Sequence, residues 1–262
     1  MEPIAAPPPR AVRTDRPAHA RAAVAFESVG LVYDARGGAT TALDGVDLRV
    51  ASGERVAVVG PSGCGKSSLL NIAAGLRSPT RGRVTVEEDV ALMPQHDLLV
   101  PWRSALGNAA LALQAQGVPR REAERRAAPL FARLGLQSFE HARTWELSGG
   151  MRQRVAFLRT VLTGRPLLAL DEPFGALDSI TRGQMQEWLL AALADEPRTL
   201  LLVTHDVEEA LVLADRIVIL TPRPGRVAAE IAAPRPPQVR RNDWVTSPEF
   251  AALKGEALEA LS

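Results

Sequence analysis

Gly60-Pro61-Ser62-Gly63-Cys64-Gly65-Lys66-Ser67 follows the spacing G-x-x-x-x-G-K-[ST]. In that pattern the glycines let the backbone curl until successive N–H groups point at one anion, and a helix start adds partial positive charge. The chemistry this predicts is phosphate binding. Lys66 would reach the terminal phosphates of a nucleotide, and Ser67 would hold Mg²⁺ through its hydroxyl. Ser68 continues the run into the helix. Only Lys66 and Lys254 are lysine among 31 basic residues, so a lysine here by chance is improbable on composition. Cys64 sits inside the loop, where the plain reading is a small tolerated side chain.

A second group is acidic. Asp171-Glu172-Pro173 ends the apolar run Leu167 to Leu170. A carboxylate at the carboxyl end of a parallel strand faces the ligand crevice. There Asp171 would bind Mg²⁺ and Glu172 would polarise an attacking water. Thr204-His205-Asp206 ends another apolar run, which brings His205 out on the same sheet edge, able to hydrogen-bond a γ-phosphate. Gln95 stands in a polar break after a strand and could ligate Mg²⁺ or orient a water. Ser148, just before the helix expected at 152–163, is a good N-cap, and Gly149 and Gly150 leave backbone amides uncovered. That makes either a plain helix entry or a second anion site. Asp178 reads as the N-cap of the helix 179–194. Tyr33, the only tyrosine, is a strand-face packing residue on spacing alone.

The elements that must position these groups follow from periodicity. Strands are expected at 24–33, 43–50, 55–59, 83–86, 89–93, 167–170, 199–203 and 216–220, with an edge strand at 226–231. Helices are expected from Ser68 to Gly75, then at 106–116, 120–134, 152–163, 179–194, 207–214 and 247–261. Strand signals vanish between Trp102 and Gly164, which reads as a helical insertion into an α/β domain. Arg120 to Arg126 is a solvated, charge-dense helix face. Residues 1–21, rich in Pro, Ala and Arg, read as a disordered tail without the apolar core of a secretory signal. Pro234 to Pro237 opens a polar linker, and 234–262 is a tail carrying a short helix.

Bulk composition narrows the classes. Apolar residues form 46% of the 262, enough for a sizeable core, and the net charge of +1 argues against general nucleic-acid binding. A single cysteine excludes an internal disulfide. No apolar run approaches the roughly 18 residues that span a bilayer, so membrane association is expected only through a partner.

Taken together, GPSGCGKSS, Gln95, LSGGMRQR, LLALDEP with GALD, and THD occur in an order that resembles the nucleotide-binding subunit of ABC transporters, over about Val24 to Ile231. The resemblance implies a P-loop NTPase core, RecA-like and with a mixed sheet, carrying an antiparallel β subdomain and a helical subdomain near 102–164, all within 22–233. It implies ATP and Mg²⁺ as ligands and an ATPase activity in which Glu172, His205, Lys66 and Gln95 take part. Tyr33 falls where the family stacks the base. Ser148, Gly149 and Gly150 match the signature loop that binds the γ-phosphate held by the other subunit, so two copies sandwich two ATP molecules. Asp178 matches the D-loop. Integral membrane permease subunits and, indirectly, a periplasmic solute-binding protein are the implied partners, at the cytoplasmic face of the inner membrane.

The segment 94–117, the Pro222-Arg223-Pro224-Gly225 turn and SPEF at 247–250 resemble importers of nitrate, sulfonates and taurine; a thiamine-precursor importer would look much the same. A soluble ABC-type ATPase acting on DNA or ribosomes usually carries two ATPase halves or long coiled-coil insertions, and a P-loop kinase would not need LSGG or His205. The signature departs from the family at its fifth position, where Met151 replaces glutamine. Backbone amides and Ser148 supply the dominant contacts in this reading. Met151→Gln is therefore expected to leave phosphate release within roughly a few-fold of the parent; total loss would give Met151 a role of its own.

Overall fold

The computed structural model describes residues 21–35, 38–233 and 241–261. All but Arg21 of the expected N-terminal tail, and the linker at 234–237, lie outside the described residues. Strand β3 (Arg55–Val59) shows how the core is divided. Val56 and Val58 face one hydrophobic cluster, and Ala57 and Val59 face another. The same alternation holds in β6 (Leu167–Asp171), β7 (Thr199–Thr204) and β8 (Arg216–Leu220), all fully buried. A period of two with both faces apolar is what a strand needs when it is covered on both sides.

These strands form a six-stranded sheet in the order β5-β6-β7-β3-β8-β9. Strand β5 (Val90–Met93) pairs in parallel with β6, while β9 (Val227–Ala232) runs antiparallel to β8 at the edge. A second sheet, β2-β1-β4, is antiparallel and built from β1 (Ala22–Ala35), β2 (Gly38–Ala51) and β4 (Arg81–Val86). Its inward residues, among them Val24, Phe26, Leu43, Val46 and Leu48, share one cluster with helix α1 (Lys66–Ala73) and one face of the large sheet. The other face is covered by helices α2 (Ala105–Ala109), α4 (Arg120–Arg133), α5 (Gly149–Val161), α6 (Ser179–Asp195) and α7 (Val207–Leu213), with α3 (Leu111–Ala115) following α2.

Three expectations are corrected. The helix expected over 106–116 is two short helices that meet at Ala110, where ψ is −9°. Buried Asn108 lies just before the break. Its amide group donates to the carbonyls of Val100 and Ser104 and accepts from the Val100 N–H, so a side chain competes locally with the helical ladder. The helix expected from Arg152 begins at Gly149, because Ser148 accepts from the Met151 amide at 3.2 Å and starts the helix at once. The C-terminal segment holds two helices, α8 (Arg241–Val245) and α9 (Pro248–Leu261). The five-residue α8 is fixed by tertiary contacts: buried Trp244 donates to the Leu211 carbonyl at 3.1 Å and lies edge-on to Phe250.

Phe157 on α5 is fully buried between Phe174 and Trp188, with ring centroids 5.5 Å away in each case. It ties the helical layer to the turn after β6. Phe157→Ala should lower stability by about 3–5 kcal/mol, the usual scale for an unfilled aromatic site. Chemical denaturation measures this directly.

Candidate functional site

The register of the large sheet sets the site. Val59 at the end of β3 lies opposite Thr204 at the end of β7, and Asp171 at the end of β6 lies opposite Val203. The phosphate loop, the acidic pair and His205 therefore leave three adjacent parallel strands on one edge, where ligands of open α/β sheets bind.

Gly60 to Gly65 connect β3 to α1. Gly63 and Gly65 have φ of 78° and 105°, values that side chains disfavour. Gly65 is also crowded: a Cβ there would come within 2.8 Å of the Ala42 carbonyl. Buried Lys66 donates to the carbonyls of Gly60 (2.7 Å) and Pro61 (3.0 Å). Its third N–H has only the Cys64 sulfur at 4.0 Å, a weak acceptor that a phosphate oxygen would displace. Cys64 is fully buried, and burial pushes its thiol above the ordinary range.

A cleft of about 420 Å³ opens over this loop. It gathers Tyr33, Ser62, Gly63, Gly65, Lys66, Ser67, Ser68, Gln95 and Glu172 from the residues singled out in the sequence, and adds Thr40, Ala42 and Arg223. The Tyr33 hydroxyl lies 2.9 Å from Ser68 Oγ, and the Arg77 guanidinium sits 4.5 Å from its ring centre.

Glu172 is the meeting point. Gln95 donates to its Oε2 at 3.2 Å, and His205 Nδ1 lies 3.1 Å from Oε1. Its amide donates to the Val203 carbonyl at 2.8 Å, and its carbonyl accepts from Gln153 at 3.3 Å. Its backbone is left-handed, with φ of 47°, a conformation costly for a residue with a side chain. Beside it, burial and the neighbouring Glu172 charge push the Asp171 carboxyl up, while the Ser67 hydroxyl and Lys66 hold it down.

Of the other expected site residues, Gly60, Pro61, Cys64, Asp171 and His205 adjoin the lining residues in the chain or through Glu172 without lining the cleft themselves. Ser148, Gly149 and Gly150 do not line it either, nor does Asp178, which caps α6 by accepting from the amides of Ile180 and Thr181. The two groups lie close to each other. A Cβ on Gly150 would stand 3.1 Å from Leu177. No group of three or more His, Cys, Asp or Glu converges on a metal-sized site among the described residues. A cation near Ser67 and Asp171 would have to share its coordination with phosphate oxygens.

Four residues were missed as site residues. Gln153 reaches Glu172 from α5. Arg182 on α6 donates to Asp206 (3.1 Å) and to the Leu177 carbonyl (3.2 Å), which ties the GALD turn to the end of β7. Arg223 enters the cleft from the β8–β9 turn. Glu209 on α7 is buried, with one carboxyl oxygen unpartnered. Two of them had a sequence signal: Gln153 lies within LSGGMRQR, and Arg223 within the Pro-Arg-Pro-Gly turn.

The profile described as "ABC transporter" matches residues 43–175. A taurine import ATP-binding protein from Sinorhizobium fredii is 44% identical over 219 residues, covering 79% of this chain and 82% of that protein. The chain belongs to the ABC transporter family. A second member, the taurine import ATP-binding protein of Chromobacterium violaceum, is 41% identical over 250 residues, covering 90% and 95% of the two chains. Among solved structures, the dimeric ATP-binding cassette MJ0796, bound to ADP and Pi after hydrolysis, superposes with a TM-score of 0.75 at 29% identity, over 81% of this chain and 99% of that one. The fold is the α/β P-loop NTPase fold of these ABC ATPase cassettes.

Burial pushes the Glu209 carboxyl up to about 7, with help from Asp206 and against the pull of Thr204, Arg182 and His205. The folded protein then keeps a proton there that the unfolded chain loses near pH 4.5. Stability from this group is present below that pH and is lost as pH rises towards 7. Glu209→Gln should therefore gain stability relative to the parent on going from pH 5 to pH 8. Urea unfolding at both values tests this; a relative loss at pH 8 would contradict a protonated Glu209.

Proposed function

We propose that this chain is the ATP-hydrolysing, energy-coupling subunit of an importer for taurine, another sulfonate, nitrate or a similar small solute. The observation that carries the reading is Glu172: a carboxylate at a strand end, flanked by Gln95 and His205, facing a cleft floored by Lys66 and Ser67. In this reading the loop amides and the remaining Lys66 N–H bind the phosphates. Glu172, held by its two side-chain partners, orients and polarises a water toward the γ-phosphate. In the same reading His205 donates to that phosphate and Tyr33 flanks the base.

Ser67, Asp171 and Gln95 offer a hydroxyl, a carboxylate and an amide oxygen, the hard donors that suit Mg²⁺. Ser67 lies near enough to Asp171 for its hydroxyl to hold that carboxyl down. When bound, the cation would supply neutralisation of phosphate charge.

Two copies are needed because the cleft lacks the signature residues. Ser148, Gly149 and Gly150 present a capped helix start away from it, suited to the γ-phosphate held by a second copy. The dimeric, ADP-bound relative supports this arrangement. Closure follows if ATP binds both surfaces only when they meet, so that it favours the closed pair through contacts the open pair lacks.

Among the described residues no helix is long and apolar enough to cross a membrane. The chain would sit at the cytoplasmic face of the inner membrane by docking to permease subunits, which in turn receive solute from a binding protein. Leu98 and Trp102, 64% and 75% exposed just after Gln95, support a docking face next to the catalytic groups.

Glu172→Gln should bind ATP yet hydrolyse it about 100-fold or more slowly, the scale of a lost general base. Size-exclusion with ATP should then show a trapped dimer. A monomer loaded with ATP would overturn the sandwich, and a normal rate would overturn the role of Glu172.

A further inference from the structure

The Pro222-Arg223-Pro224-Gly225 turn does more than join β8 to β9. The Gly225 amide donates to the Ala42 carbonyl at 2.9 Å, and its own carbonyl accepts from Asp44 at 3.0 Å. Its backbone presses so closely on the phosphate loop that a Cβ would stand 2.1 Å from the Cys64 carbonyl oxygen. Thr221 braces the turn by donating to the Pro224 carbonyl and accepting from the Arg226 amide, both at 3.0 Å. The turn is thus fixed against both β2 and the loop, and Arg223 projects from a rigid support.

Neighbouring arginines have carboxylate partners. Asp44 pairs with Arg226 and Arg81, and Arg216 pairs with Glu54 and Glu230. Arg223 differs. Its Nε donates to the Gly63 carbonyl at 3.2 Å, and it has no carboxylate partner among the described residues. It lines the same cleft as Ser62, Lys66 and Ser67. A guanidinium carries five N–H donors in a planar fork suited to phosphate oxygens. One donor goes to Gly63, and an uncompensated positive charge remains in the cleft that Lys66 also lines.

We propose that Arg223 is a further nucleotide-binding residue, one that grips the phosphate chain together with Lys66. The inference rests on the nucleotide reading above and deepens it. The fork serves two tasks: one edge holds the loop through Gly63, and the remaining N–H groups contact the polyphosphate. A charge in that place favours ATP and ADP over adenosine, because only the first two carry charge for it to meet.

The test uses the full chain and calorimetric titration with ATP, ADP and adenosine, for the parent, Arg223→Ala and Arg223→Lys. Melting temperatures of all three report folding. Arg223→Ala should lose about ten-fold or more in affinity for ATP and ADP and keep its affinity for adenosine. Arg223→Lys retains the charge without the fork and should fall between the other two. Equal ATP affinity in parent and Arg223→Ala overturns the proposal and leaves the nucleotide reading intact. An equal proportional loss for ATP and adenosine also overturns it, because Arg223 would then only shape the loop. Failure of the parent itself to bind ATP would overturn the nucleotide reading and this proposal together.

Discussion

Three carboxyl ends meet because β6, β7 and β3 lie side by side in parallel register, and their hydrogen bonds are shielded from water on both faces. Val59 against Thr204 and Asp171 against Val203 are single rungs of that ladder. A slip of one residue would exchange the side chains packed in the two layers, so the fit of each side chain to its own layer holds the register. The distances around Glu172 follow from it. The sheet acts as a jig, and the loops beyond it inherit its precision.

Above that edge the problem is electrostatic. Lys66 and Asp171 are both 6% exposed, and each would be costly to bury alone. Loop carbonyls satisfy Lys66, and the Ser67 hydroxyl answers Asp171, so both groups are compensated and also aimed. Arg182 extends the same logic outward. By joining the Leu177 carbonyl to Asp206, it places the GALD turn and the segment after His205 in one hydrogen-bonded unit.

Much of this was legible in the residues. The phosphate loop, the acidic strand end and the histidine strand end are local patterns, and each strand bearing them is a short apolar run. The cap residues Ser148 and Asp178 were readable too, because a cap acts within three residues of itself. What escaped depends on distance in the chain. Glu209 looks like any acid on a helix until α7 packs it beneath Asp206 and Arg182. Helix α8 is too short to announce itself and exists because Trp244 finds the Leu211 carbonyl, 33 residues away. The break at Ala110 hides behind an unbroken helical period, since it accompanies the bonds of one buried amide. Arg223 was visible as part of a turn, but its entry into the cleft required β9 to fold back beside β8.

The left-handed backbone at Glu172 has a further meaning. That conformation costs of order 1–3 kcal/mol for a residue with a side chain, and Glu172 also repels the adjacent buried carboxyl of Asp171. Glycine at this position would relieve both penalties at once. Selection for thermal robustness alone would therefore favour glycine here, at the cost of the carboxylate that Gln95 and His205 now hold.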